Sequence, residues 1–209
     1  MNIVTDIQER RGIIEIYVDG CVGLRVRKAH FSKRPLETGE TVDLEEYENT
    51  IASFQFSDAY EAALTALDHS ARTARELERS LLAKGYVPTA VRSVIERLTE
   101  NRLIDDRQLA GRIAEANASK PVGVYALKRK LRAKGISDED ASAALEGFDG
   151  AQQQSAARQA AEKLYRRYSS LPNREARAKL SQALARRGFP WDAVREAVDA
   201  ILSDDEYFE

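Results

Sequence analysis

Six basic side chains occupy one stretch of this chain without a single acid among them. Lys120, Lys128, Arg129, Lys130, Arg132 and Lys134 all lie between Glu115 and Asp138. Ammonium and guanidinium groups lacking an acidic complement attract phosphates or a carboxylate-rich protein surface. At helical spacing Lys128 and Arg132 share one outer row, and Lys130 and Lys134 another. Further along come Arg166, Arg167, Arg174, Arg177, Lys179, Arg186 and Arg187. If the helices that carry them stack regularly, the rows join into one stripe. Tyr125, Tyr165 and Tyr168 lie nearby in sequence and have the flat faces on which bases stack, although Tyr at such positions more often packs. A solvated charged face would explain an isolated helix equally well. In a chain with 32 basic and 34 acidic residues and a net charge of −2, a basic run without acids is less ordinary.

No catalytic chemistry is visible. The chain has neither a phosphate-binding Gly-Lys-Ser/Thr loop nor a glycine-rich dinucleotide fingerprint. No Cys/His pair reads as a nucleophile with its base. Cys21, His30 and His69 do not form a ligand-spaced metal set. Asp105 and Asp106 are paired carboxylates, but a helix N-cap explains them more simply. No catalytic, cofactor-binding or metal-binding residue is therefore assigned, and an enzyme is not expected. The single cysteine excludes a disulfide framework and favours a reducing compartment. No apolar run approaches a membrane span, and the N-terminus carries no signal-peptide core. A cytoplasmic protein with no membrane contact is expected.

The element beneath the basic run is a helix that ends in glycine. Leu127 and Leu131 precede Gly135 by eight and four residues, and Ile136 follows it. Leu77, Leu81, Gly85 and Tyr86 repeat this spacing upstream, and Leu180, Leu184, Gly188 and Phe189 repeat it downstream. The register continues with Val91, Ile95 and Leu98, with Ala141, Leu145 and Phe148, and with Val194, Val198 and Ile201. Leucines four apart share a helix face. A glycine in the left-handed conformation closes the helix, and Lys84, Lys134 or Arg187 just before it suits the negative end of the dipole. Pro88, Ser137 and Pro190 suit the start of the next helix. Three matches over more than twenty positions each constitute an internal repeat.

The remainder is read around that repeat. Ile14, Ile16 and Val18 alternate before Asp19 and Gly20, and Val22, Leu24 and Val26 alternate after them. A three-residue loop at 19–21 would place all six on one face, with Arg25 and Arg27 pointing away. A short strand is expected at 41–44 and a short acidic helix from Glu45. Helices are expected over 58–68, 73–84, 88–101, 124–134, 137–147, about 152–169, 174–187 and 190–203. A further helix capped by Asp105 or Asp106 would face Leu109 and Ile113 inward. Residues 149–154 read as a polar linker, and residues 204–209 as a frayed acidic tail. The fold class is mainly α, with three tandem three-helix repeats in an elongated, curved array and a small N-terminal β-hairpin cap. Expected boundaries are 1–55 for the β-hairpin extension, 56–105 and 106–149 for repeats one and two, and 150–209 for repeat three with the tail. Such a shape suits wrapping a long partner more than enclosing a small substrate.

Residues from about 58 to 203 resemble the RecX family of bacterial recombination regulators. The triple repeat carries the resemblance, together with Leu81-Leu-Ala-Lys-Gly85-Tyr, Leu103-Ile-Asp-Asp-Arg107-Gln-Leu-Ala110 and the stretch from Leu127 to Ile136. The hairpin at Tyr17-Val-Asp-Gly20 resembles an extension that some members have. The family tends to have glycine just before the Leu-Ile-Asp-Asp run, where this chain has Asn101 and Arg102. The resemblance implies binding to RecA protein and to the RecA filament on single-stranded DNA. It also implies inhibition of RecA's ATPase, strand-exchange and co-protease activities, in DNA repair, recombination and the SOS response, without catalysis by the chain itself. The filament-binding residues would then be Lys120, Lys128, Arg129, Lys130, Arg132, Lys134, Arg166, Arg167, Arg177 and Lys179. The protein is expected to act as a monomer, with at most weak direct contact to DNA. The alternative is a helical nucleic-acid-binding protein acting without RecA, which the net charge disfavours. A third reading is a helical scaffold that uses its acidic N-terminal cap.

Overall fold

A computed structural model describes residues 2–148 and 150–205. Of the acidic tail, Asp204 and Asp205 belong to the last helix, and residues 206–209 lie outside the described residues. The fold is mainly helical with a small N-terminal antiparallel sheet, as the sequence reading anticipates. It divides into two compact units, Met1–Asp105 and Asp106–Glu209.

The first unit opens with three strands, β1 (Asn2–Arg10), β2 (Ile13–Val18) and β3 (Cys21–Arg27). A two-residue β4 (Thr41–Val42) completes a sheet of order β3-β2-β1-β4. The hairpin differs from expectation. Val18 pairs with Cys21, so the turn is the two-residue Asp19-Gly20, both with positive φ (50° and 86°). That backbone matches the twist of the flanking strands. The register shift comes later, between the Tyr17–Val22 and Ile16–Leu24 pairs. It leaves Gly23 as the extra residue, returning Leu24 and Val26 to the buried face while Val22 stays 51% exposed. A side chain at Gly23 would press on Val18, 3.1 Å away. The inner face, Val4, Ile14, Ile16, Val18, Leu24 and Val26, packs on Tyr47 and Ile51. Arg25 points outward as expected and pairs with Glu15.

A short helix, α1 (Lys28–Phe31), follows the sheet. Next comes α2 (Leu44–His69), one helix of 26 residues where the sequence reading has two pieces. Asp43 caps it by accepting from the backbone N–H groups of Glu45 and Glu46. Its buried row is Tyr47, Ile51, Gln55, Ala59 and Ala63, four residues apart throughout. The N-terminal part covers the sheet, and the C-terminal part packs on α3 (Ala74–Ala83) and α4 (Pro88–Glu100). Thr73 and Glu76 form a capping box at the start of α3.

His30 ties α1 to α2. It is 2% exposed, its Nε2 lies 3.0 Å from the Asp58 carboxylate, and its buried Nδ1 has no partner among the described residues. Burial pulls the imidazole below its ordinary 6.5, Asp58 opposes that shift, and Lys33 and Arg27 add to it. As pH falls the unfolded chain therefore takes up this proton first. The contribution of His30 to stability is full above about 6.5 and is lost as pH falls through the depressed folded-state value. The urea midpoint should fall on acidification from about pH 7 to about pH 5. His30→Gln should flatten that dependence; an unaltered pH profile in the variant would contradict it.

The second unit contains α5 (Asp106–Glu115), α6 (Val124–Lys134), α7 (Asp138–Ala144), α8 (Gly150–Tyr165), α9 (Asn173–Arg186) and α10 (Trp191–Asp205). Two of its features depart from expectation. In α5 the buried residues are Ala110 and Ala114, with Ile113 at the edge of the core and Leu109 only half-buried. The inward face is thus turned by one residue toward alanines small enough for close packing. Residues 150–154 are the start of α8 and not a linker. Polarity misleads there because Gln153 is 2% exposed and its Oε1 accepts the Val124 N–H at 2.8 Å.

The repeated glycines behave alike. Gly85, Gly135 and Gly188 have φ of 82°, 91° and 82°. In each cap the N–H of the next residue donates to the leucine four before the glycine: Tyr86 to Leu81, Ile136 to Leu131, Phe189 to Leu184. This is the Schellman arrangement with its hydrophobic closure. All six framing leucines are at most 2% exposed. The same cap ends α4, where Leu103 N–H donates to Leu98 and Arg102 takes the left-handed place at φ 56°. A non-glycine residue there is strained by about 1–2 kcal/mol. Arg102→Gly, after the entropy that glycine loses on folding, should stabilise the first unit by about 0.5–1 kcal/mol. Thermal unfolding of the variant checks this; a lower midpoint would contradict it.

Candidate partner-binding surface

Helix α6 buries Leu127 and Leu131, which leaves the intervening rows to solvent. Arg129, Lys130 and Arg132 are exposed, and Lys128 and Lys134 are half-buried. Lys120 is exposed on the loop before the helix. The six residues differ in what holds them. Arg132 pairs with Asp138 at the start of α7, which keeps that carboxylate below its usual range. Lys128 donates to Ser142 Oγ at 3.1 Å. Arg129 reaches the carbonyl of Arg186 at 3.5 Å, at the negative end of α9. Among the described residues no acid lies in ion-pair range of Lys120 or Lys130. The acid-free run is thus partly neutralised in space by Asp138, an acid just beyond its end in sequence.

The end of α9 sits on the start of α6. Gly123 N–H donates to the Arg187 carbonyl at 3.2 Å, and Tyr125 N–H to the Gly188 carbonyl at 3.0 Å. A Cβ at Gly123 would fall 2.0 Å from the Gly188 carbonyl carbon. The two backbones touch, and this contact brings Arg186 and Arg187 beside Arg129. The remaining candidates are not gathered there. Arg166 and Arg167 follow the far end of α8, whose first turns hold Val124 through Gln153. Sixteen residues of helix separate the two ends by about 24 Å. Arg177, on the first half of α9, pairs with Asp199, and Lys179 is exposed on the same helix. Tyr165 and Tyr168 pack on the core of α8–α10, whereas Tyr125 is 55% exposed.

Sequence reasoning missed a second cluster. Arg174, Arg177, Trp191 and Arg195 line a groove of about 590 Å³ between α9 and α10. Trp191 is 67% exposed. An aromatic residue at a helix start was the available signal.

Comparisons with known proteins bear on what this surface serves. Family models described as the first and the third three-helix domains of RecX match residues 59–98 and 151–198. The regulatory protein RecX of Chlorobaculum tepidum is 34% identical over 150 residues, covering 71% of this chain and 91% of that protein. The chain belongs to the RecX family. The RecX protein of Limosilactobacillus reuteri is 29% identical over 198 residues, covering 94% of this chain and 75% of its own. A crystal structure of a regulatory protein RecX superposes with a TM-score of 0.65 at 26% identity, covering 98% of this chain and all of that one. The RecX structure from Lactobacillus salivarius gives 0.64 at 28% identity over 71% of this chain. Membership of RecX assigns the chain a regulatory role, and the family is named for regulation and not for a catalysed reaction. No described helix is long and apolar enough to cross a membrane.

Proposed function

We propose that this chain binds RecA and the RecA filament on single-stranded DNA. Binding inhibits the filament's ATPase, strand-exchange and co-protease activities in the cytoplasm during DNA repair and recombination. The protein acts as a monomer, and direct contact with DNA is weak. The observation that carries the reading is the outer face of α6, where Lys130 projects with no ion pair among the described residues. The docked end of α9 brings the exposed Arg186 and Arg187 next to the start of that helix. A polyanionic or acidic groove complements such a face. The repeat boundaries of the sequence reading, 56–105, 106–149 and 150–209, are proposed with it.

Structure refines which residues test this. Arg129, Arg132 and Lys128 each have an internal partner, so reversing them perturbs packing as well as charge. Lys120→Glu with Lys130→Glu changes charge alone. The double variant should bind a RecA filament on a labelled thymidine oligomer at least about tenfold more weakly, roughly 1.4 kcal/mol, with an unchanged melting temperature. Fluorescence anisotropy measures it, and undiminished affinity would remove this face from the contact. The same titration on the oligomer without RecA distinguishes the alternative. Equally tight binding there, with a steep salt slope, would favour a nucleic-acid-binding protein that acts without RecA.

A further inference from the structure

Helix α9 presents a second face that the α6 surface does not use. Ala176, Leu180, Ala183 and Leu184 point into the core. On the other side Arg174, Arg177, Ala178, Ser181, Gln182 and Ala185 run along three turns, opposite Trp191, Arg195 and Val198 of α10. The spacing is that of one helix face on each side. We propose that this groove docks an acidic amphipathic helix from a partner protein. The inference does not rest on the RecA reading.

Size, floor and charge each support that occupant. From Arg174 to Ala185 the groove extends about 16 Å, the length of three helical turns. Its floor consists of Ala178, Ser181, Ala185 and Val198, so another helix can approach closely with apolar residues spaced three and four apart. Trp191, exposed at one end, offers the kind of aromatic anchor on which interface energy concentrates. Arginines form the rim, and no acid is among the described residues that line the groove. Arg177 already pairs with Asp199, whereas Arg174 and Arg195 meet no acid among the described residues. Flanking carboxylates on an incoming helix would pair with these two. Single-stranded nucleic acid is a poorer fit. It calls for several aromatic platforms along a basic track, and this groove has one aromatic above an apolar floor.

Trp191 is the only tryptophan in the chain, so its emission reports the groove directly. The full-length protein would be titrated with a three-turn synthetic helix that carries leucine and phenylalanine on one face and glutamate on both flanks. A saturable blue shift of Trp191 emission is expected. Arg174→Glu with Arg195→Glu should weaken binding about tenfold, and a twin peptide with glutamine for glutamate should bind similarly poorly to the unmodified protein. Absence of any saturable change would overturn the proposal. Equal binding of the glutamine twin would overturn its acidic character. A shift with a thymidine oligomer in place of the peptide would make the groove a nucleic-acid site. A shift on concentrating the protein alone would make it a contact between copies.

Discussion

Gly188→Ala should shift the unfolding of the second compact unit to markedly lower denaturant. Two costs add at this position. The residue has φ +82°, where any L side chain is strained by about 1–2 kcal/mol. Its new Cβ would also lie 2.3 Å from the backbone nitrogen of Ala126 and 2.8 Å from the Ala126 Cβ. Overpacking of that kind costs about 1–3 kcal/mol, and the backbone atom at issue cannot rotate away. The total, about 2–5 kcal/mol, is a large share of the roughly 5–15 kcal/mol typical of a domain. Gly123→Ala separates the two causes. Gly123 has an ordinary φ of −75°, but its Cβ would fall 2.0 Å from the Gly188 carbonyl carbon, so only the steric cost applies. Urea titration followed by Trp191 emission reads the second unit directly. A midpoint unchanged in both variants would mean that the α6–α9 backbone contact is not formed.

Gln55→Leu should destabilise the first unit by about 2–4 kcal/mol. Gln55 is fully buried on the inner row of α2. Its Nε2 donates to the Gly85 carbonyl at 3.1 Å, and its Oε1 accepts the Val87 N–H at 2.7 Å. The same carbonyl takes the Arg27 N–H at 2.9 Å, so one amide side chain holds the glycine turn of the first repeat against the sheet. Leucine fills the space without either hydrogen bond. The Val87 N–H would then be buried without an acceptor, which costs about 1–3 kcal/mol beyond the lost bond to Gly85. Far-UV circular dichroism in urea measures the loss. Wild-type stability in the variant would show that the two bonds contribute nothing.

These two sites mark where legibility in the sequence ended. The leucine–glycine repeat was visible because helix periodicity and cap geometry are local, and all three repeat glycines adopt the left-handed conformation that the spacing implies. Strand β1 was not visible. A register shift between Val4 and Asp6 breaks its alternation, so Val4 and Ile7, three apart, both turn toward the core. Helix α2 reads as two pieces because polar Gln55 interrupts an otherwise apolar row, and only the distant Gly85 turn accounts for its burial. Gln153 hides the start of α8 in the same way. Arg102 occupies a left-handed cap that a glycine would signal plainly, so the end of α4 is legible only from Val91, Ile95 and Leu98.

The candidate surface divides similarly. The basic run of α6 is a local feature and was legible. Its ion pair with Asp138 and the contact of Arg129 with the end of α9 depend on how neighbouring helices turn back. Charge alone groups Arg166 and Arg167 with that run, and the length of α8 sets them apart from it. The α9–α10 groove sets Arg174 at one end and Trp191 at the other through antiparallel packing that no spacing announces.

The most direct test of the central claim is RecA's ATP hydrolysis on single-stranded DNA with the purified chain titrated in. Inhibition is expected to saturate near stoichiometric protein and to weaken as salt screens the α6 face. Hydrolysis that continues undiminished with the chain in several-fold excess over RecA would contradict it.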